Sequence, residues 1–179
     1  FEYIAREILP LPIVSATMDG CMEKGMDCMR GGAKYNSTGV AGVGIGTAAD
    51  SLNAIRELIF ERHECTAREM YDAVMNDWQG YEWLREKAKN EVSHYGNGDA
   101  RADEAAQWIA RVWCEALGRY TGPRGGYKAG LWSIARHVAD GPVTNATPDG
   151  RRRGDVLSDG ISPVQGMDKN GPTALLRSV

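Results

Sequence analysis

Apolar positions recur at helical spacing through the first two-thirds of the chain. Leu52, Ile55, Leu58 and Ile59 fall on one face of a segment that predicts a helix over about residues 48–60. Thr66-Ala67-Arg68-Glu69 has the form of a capping box, in which hydroxyl and carboxylate each take the other residue's backbone N–H, and predicts a helix running to about Trp78. Residues 80–92 read as another helix. The clearest one covers about residues 102–120, with Ile109, Val112, Trp113, Ala116 and Leu117 as its core stripe. Near the start, Pro10 and Pro12 interrupt an apolar stretch, and a helix over residues 13–24 ends at Gly25.

Elsewhere the pattern changes. Residues 40–46 alternate Val, Gly and Ile and read as extended chain. Residues 121–126 are a cluster of helix and strand breakers. Leu131-Trp132-Ser133-Ile134-Ala135-Arg136-His137-Val138 is the best strand candidate. Beyond Asp140, Gly and Pro are frequent and helical periodicity disappears. Thr144-Asn145-Ala146-Thr147-Pro148-Asp149-Gly150-Arg151-Arg152 carries dense turn chemistry: Pro sets φ, Asp bonds its own backbone, and Gly accepts positive φ. Asp159-Gly160-Ile161-Ser162-Pro163 and Asn170-Gly171-Pro172-Thr173-Ala174 repeat the theme. Long ordered loops of this kind are often functional. The chain reads as one partial domain over 1–179, mostly helical to about residue 125, then strand and ordered loops over about 126–179.

Composition narrows the classes. The 179 residues are 42% hydrophobic and 25% charged, which suits a packed core. Net charge is -3, so no basic face points to nucleic acid, and Arg151-Arg152-Arg153 reads as a solvated loop. No apolar run approaches the roughly 18 residues of a membrane span. The start lacks an initiator Met and signal-peptide features, and the apolar end has no polar tail, so both ends read as cut and the expected location is cytoplasmic. Cys21, Cys28, Cys65 and Cys114 show no metal-ligand spacing, nor do His63, His94 and His137, and no metal is expected. They read as reduced thiols, which leaves the Asn36-Ser37-Thr38 sequon idle. Asp19 and Glu23, at i,i+4, read as a solvent-facing pair. Gly44-x-Gly46-x-x-Ala49, with Glu64 downstream, matches a dinucleotide fingerprint, but no clean strand completes the βαβ unit. The alternative is a close backbone turn between extended chain and helix.

Ala146-Thr147-Pro148-Asp149-Gly150-Arg151-Arg152 resembles the signature loop of glycyl radical enzymes of the pyruvate formate-lyase and glycerol dehydratase type. The resemblance continues through Leu157-Ser158-Asp159-Gly160-Ile161-Ser162-Pro163 and Asp168-Lys169-Asn170-Gly171-Pro172-Thr173-Ala174. Upstream it takes in Ser15-Ala16, Gly20-Cys21, Gly31-Gly32-Ala33-Lys34-Tyr35-Asn36, Ala49-Asp50-Ser51-Leu52 and Tyr95-Gly96-Asn97. These motifs stand in family order over nearly the whole chain. Asn145 departs from a usual Gly, and Gly98 from a usual Asp.

The resemblance implies an α/β fold: part of a ten-stranded barrel with outer helices, helix-rich in this piece. It implies a lyase or dehydratase that cleaves C–O, C–N, C–C or C–S bonds anaerobically, through a thiyl radical raised by a glycyl radical cofactor. The glycyl loop and the cysteine loop have no counterpart here, and Cys21 does not match the latter, so the chain alone is expected to be inactive. Implied partners are a radical SAM activating enzyme with an iron–sulfur cluster, a small-molecule substrate and a second copy as homodimer; neither nucleic acid nor membrane is expected. Matching back from the signature loop places Trp132, Ile134 and, by period two, Arg136 on the substrate side of a barrel strand. Leu131, Ser133, Ala135 and His137 would face the helices. The competing reading is a non-catalytic truncated paralogue or accessory binding module.

Overall fold

The computed structural model describes residues 2–132 and 134–179. The chain runs α1 (Glu2–Ile8), α2 (Pro12–Ala16), α3 (Cys21–Lys24), β1 (Thr38–Ala41), α4 (Ile45–Ala54), α5 (Ala67–Met75), α6 (Glu82–Asn90), α7 (Ala100–Gly118), β2 (Thr121–Gly122), β3 (Gly125–Gly130), α8 (Arg136–Asp140) and α9 (Pro172–Ser178). It divides into two compact units, one of Phe1–Ala41 with Val112–Gly130, the other of Gly42–Arg111 with Leu131–Val179.

The first unit holds a small sheet of order β1-β3-β2. β1 and β3 pair in parallel from Thr38 opposite Tyr127 to Ala41 opposite Gly130, and β2 turns back on β3 as a hairpin. The breaker cluster at residues 121–126 is thus that hairpin, whose Gly125 turns at φ 104°. Cys21, Cys28 and Ala33 form a buried cluster. Beside it, Asp27 accepts from Leu11 N, Ser15 Oγ and Met29 N at 2.8 Å each. Against some desolvation, those bonds hold its carboxyl below the usual range. The helix expected over residues 13–24 is broken: α2 stops at Ala16 and α3 begins after Gly20, whose φ is 93°. A side chain at Gly20 would meet Lys34 N at 2.9 Å, so backbone crowding dictates the break.

The second unit has two buried clusters. Leu58, Trp78, Leu84, Ala73 and Ala88 anchor the larger. Ile45, Ala49, Tyr95 and Ala106 form the other, with Ile109 and Leu131 packed against it. The capping box at Thr66 is present in full at the head of α5. α4 begins at Ile45 and passes into a π-helix over Ile55–Glu61. That wider turn carries buried Glu57, which accepts from Ser93 N at 3.0 Å and Arg62 Nη2 at 2.6 Å. α9 lies where periodicity gave no helix; Pro172 at its first position starts it.

The strand expected over residues 131–138 is not found among the described residues. Regular pairing ends at Gly130, where β1 runs out, and no strand pairs with the described residues from Leu131 to Val138. Residues from Arg136 close a short helix instead, stapled by an Arg136–Asp140 ion pair one turn apart. Ser133 lies outside the described residues.

Candidate functional site

The signature loop is built around Arg151, which is 6% exposed. All five of its N–H groups are used: Nε on Thr147 Oγ1, Nη1 on the Arg152 and Asp155 carbonyls, Nη2 on the Thr144 and Asn145 carbonyls. Thr147 Oγ1 donates to Asp149 Oδ1 at 2.5 Å, and Gly150 N closes on Thr147 O at 3.1 Å. Gly150 has φ 88°, and a Cβ there would meet Lys89 Cγ at 2.5 Å, so the position requires glycine.

Helix ends grip this loop from outside. Trp78 Nε1 donates to Arg151 O at 3.1 Å, and Arg85 Nε to Gly150 O at 2.8 Å. Asp77 Oδ1 takes Arg153 N at 2.7 Å. Asp77 and fully buried Trp78 both sit at positive φ, 52° and 65°, in a region costly for bulky residues. The strain turns the chain off α5 and delivers both side chains to the loop.

Further polar contacts tie the loops to α4. Thr47 and Ser158 exchange backbone-to-hydroxyl bonds at 3.0 and 2.9 Å, both buried. Asp50, wholly buried, accepts from Tyr95 N at 2.8 Å and faces His94 Nδ1 at 2.9 Å. His94 Nε2 faces the Lys89 carbonyl at 3.0 Å. Both ring nitrogens therefore face acceptors, which only the imidazolium satisfies. Burial works against that charge, but the Asp50 bond and charge outweigh it and raise the His94 pKa. Tyr95 donates to Ile161 O at 3.0 Å, and its burial, with Asp103 and Asp50 nearby, pushes its pKa up to about 12.

The fingerprint glycines take the second of their two readings. Gly44 caps α4 at φ 84°, and a Cβ on Gly46 would meet Ser162 O at 2.7 Å. The spacing serves a close approach of chain to chain, and Glu64 pairs with Lys87. Cys21 is a buried thiol pushed up by burial, with Cys28 and Asp27 adding to the effect. Among the described residues, no group of three or more His, Cys, Asp and Glu comes together as a metal site.

The three expected substrate residues are near one another in sequence but differ in setting. Trp132 is 52% exposed. Ile134 is half-buried, with its N–H on Asp159 Oδ1 at 3.2 Å. Arg136 is exposed and held by Asp140 at 2.8 Å. His137 Nδ1 faces the Ile134 carbonyl at 3.1 Å, and Leu157 N donates to His137 O at 3.3 Å, so this segment is moored to the loop after the signature. Sequence reasoning missed Trp78, Arg85 and the Asp50–His94 pair as loop anchors. No spacing signals a contact between residues 44 apart; the only mark was that Asp50 stands inside a quoted motif.

A family model described as pyruvate formate lyase-like matches residues 1–141. The chain belongs to this family of glycyl radical enzymes. Trans-4-hydroxy-L-proline dehydratase of Clostridioides difficile is 38% identical over 99% of the chain, and (2S)-3-sulfopropanediol dehydratase of Klebsiella oxytoca 38% over 97%. The chain spans 23% and 22% of those relatives. Among solved structures, the glycerol-bound B12-independent glycerol dehydratase of Clostridium butyricum superposes with a TM-score of 0.90 at 38% identity, covering 99% of this chain and 22% of that one. The trans-4-hydroxy-L-proline-bound hydroxyproline dehydratase of C. difficile gives the same TM-score at 36% identity. The expected α/β class, a helix-rich part of a glycyl-radical-enzyme barrel, agrees with these neighbours. No described helix is long and apolar enough to cross a membrane.

Proposed function

We propose that this chain forms part of the barrel wall of an anaerobic, cytoplasmic glycyl radical lyase or dehydratase acting on a small substrate. The observation that carries this reading is the match over 99% of the chain to a glycerol dehydratase structure at a TM-score of 0.90. On this reading 1–179 is one partial domain, and the cysteine and glycyl loops lie elsewhere in the polypeptide. The glycyl radical supplies hydrogen-atom abstraction by way of the cysteine, cleaving a C–O, C–N, C–C or C–S bond. A radical SAM activating enzyme installs it, and the whole protein is a homodimer.

This chain's own task is positioning and exclusion of water. Trp132 and Ile134 form an apolar wall. Arg136 leaves Asp140 to bind a substrate carboxylate or sulfonate through two parallel N–H bonds. The signature loop is fixed from within by the Arg151 guanidinium, whose partners all belong to this chain.

The test is paramagnetic resonance of the activated full-length protein, set beside this chain alone. We expect a glycyl doublet from the first and none from the second. A doublet from the 179 residues alone, or a full gene without a glycyl loop, overturns the reading, the latter in favour of a non-catalytic paralogue.

A further inference from the structure

Two asparagines in the chain are followed by glycine, Asn97 by Gly98 and Asn170 by Gly171, and both pairs lie in motifs that the proposed function leaves without a task. The fold brings them together. Asn170 N donates to Asn97 Oδ1 at 3.1 Å, and Asn170 Nδ2 to Asn97 O at 3.1 Å. Asn97 Nδ2 donates to the carbonyls of His94 at 3.1 Å and Met167 at 2.8 Å. Gly98 N donates to Ser178 Oγ at 2.8 Å, so α9 is tied at its head to residue 97 and at its tail to residue 98.

An asparagine before glycine carries a latent reaction. The glycine N–H loses its proton and its nitrogen attacks the asparagine Cγ, an approach that no Cβ on the glycine crowds. The new N–C bond closes a five-membered imide, and the side-chain amide leaves as ammonia with that proton. Water then opens the imide. Attack at the side-chain carbonyl gives aspartate; attack at the main-chain carbonyl leaves the chain running through the side chain, as isoaspartate. Nothing is oxidised or reduced, and water is the only co-reactant.

The two pairs are not equally free to react. At Asn97 the amide nitrogen serves two carbonyls, the amide oxygen accepts from Asn170 N, and the Gly98 nitrogen is itself held as a donor. Turning the Asn97 Cγ toward Gly98 N breaks these bonds. Asn170 is exposed, and one bond, from Nδ2 to Asn97 O, holds its amide among the described residues. Gly171 N donates no hydrogen bond among the described residues. We propose that Asn170 is a site of spontaneous deamidation, closing on Gly171 N, and that Asn97 is spared by its bonds. The product unlatches α9. An aspartate oxygen in place of Nδ2 faces the Asn97 carbonyl, acceptor against acceptor. Isoaspartate adds a methylene to the main chain just ahead of α9. The chemistry needs neither radical nor activation, so it stands or falls apart from the lyase reading.

The experiment incubates the intact, unactivated polypeptide at neutral pH in water enriched in heavy oxygen, folded and in urea. Digestion and mass spectrometry then locate the label and separate aspartate from isoaspartate. In the folded protein, label should enter at Asn170 at least ~10-fold faster than at Asn97, where several hydrogen bonds must first be broken. In urea the two should react alike. Asn170→Gln, whose longer amide would have to close a six-membered ring, should leave that position unlabelled. Ser178→Ala frees Gly98 N and should speed the reaction of Asn97. Asn170→Asp, made directly, should quicken amide exchange at Leu175 N, which bonds Gly171 O at 3.2 Å. An Asn170 that reacts in urea but not in the folded protein overturns the proposal, as do equal rates at the two asparagines in the folded protein. Unchanged exchange at Leu175 in Asn170→Asp overturns the unlatching of α9.

Discussion

The signature loop and the segment just upstream of it invert the usual expectation about order. Residues 144–155 contain no helix or strand, yet Arg151, Asp149 and Ala146 are buried and each N–H of the guanidinium has a partner. Residues 131–138 carry the best strand pattern in the chain, yet the described residues among them form no strand, and Trp132 and Arg136 stand largely in the open. Alternation of apolar and polar residues describes a surface that fits a sheet; it does not supply the neighbouring strand. A polar loop, by contrast, carries its own acceptors, and one well-placed arginine can order it.

This contrast can be attacked in order of expected effect. Arg151→Met should cost the most, about 3–5 kcal/mol, because it leaves buried acceptors and Asp149 without compensation. The midpoint of urea unfolding, at unchanged slope, measures it. A midpoint near wild type means that the loop is held by Trp78 and Arg85 instead.

Trp78→Phe removes the N–H to Arg151 O together with part of a fully buried ring, so it costs stability through both the bond and the packing. A loss of roughly 1–2 kcal/mol is expected, with amide exchange quickened most at residues 149–153. Exchange that rises evenly through α5 and α6 means that the indole acts as core filling alone.

The third probe is pH. The His94 pKa is raised in the fold, so its stabilising contribution is complete below the ordinary histidine value and fades as pH rises through the elevated one. Wild type should lose stability over that window, and His94→Gln should be less stable but flat across it. A wild-type curve as flat as that of the variant means that the ring is neutral, and that one of its two contacts is not a hydrogen bond.

Trp132→Ala and Arg136→Ala should change the stability of this chain least, by about 0.5 kcal/mol or less, since both side chains are exposed and the Arg136–Asp140 pair is a surface one. In the full-length enzyme the same changes should lower kcat/KM strongly at unchanged radical yield. Equal stability loss from Arg136→Ala and Arg151→Met collapses the distinction between the two regions; unchanged kinetics removes the substrate role.

Much of the fold was legible from local chemistry. The capping box at Thr66 and the existence of α7 are decided within a few residues, so sequence alone reveals them; the core stripe expected on α7 is corrected, since burial falls on Ala102, Asp103 and Ala106 near its start while Val112 and Ala116 are exposed. What was illegible depends on distant crowding: the break at Gly20 comes from Lys34, the need for glycine at Gly46 from Ser162, and the sheet from a glycine-rich β3 that borrows its pairing from β1. The family was legible because its motifs are themselves records of such crowding. The anchors of the signature loop were not, since Trp78 and Arg85 look like ordinary helix residues until the loop lies against them.

Arg151, Arg152 and Arg153 count as three positive charges in any tally of the sequence, yet solvent does not meet them equally. With every donor of Arg151 engaged indoors, a reagent that modifies arginines should label Arg153 readily and spare Arg151 until the protein unfolds. A polyanion drawn to the run by its spelling would find a smaller charge than the letters promise. The first arginine of the run belongs to the interior, where it acts as a framework for the loop and adds little to the surface potential.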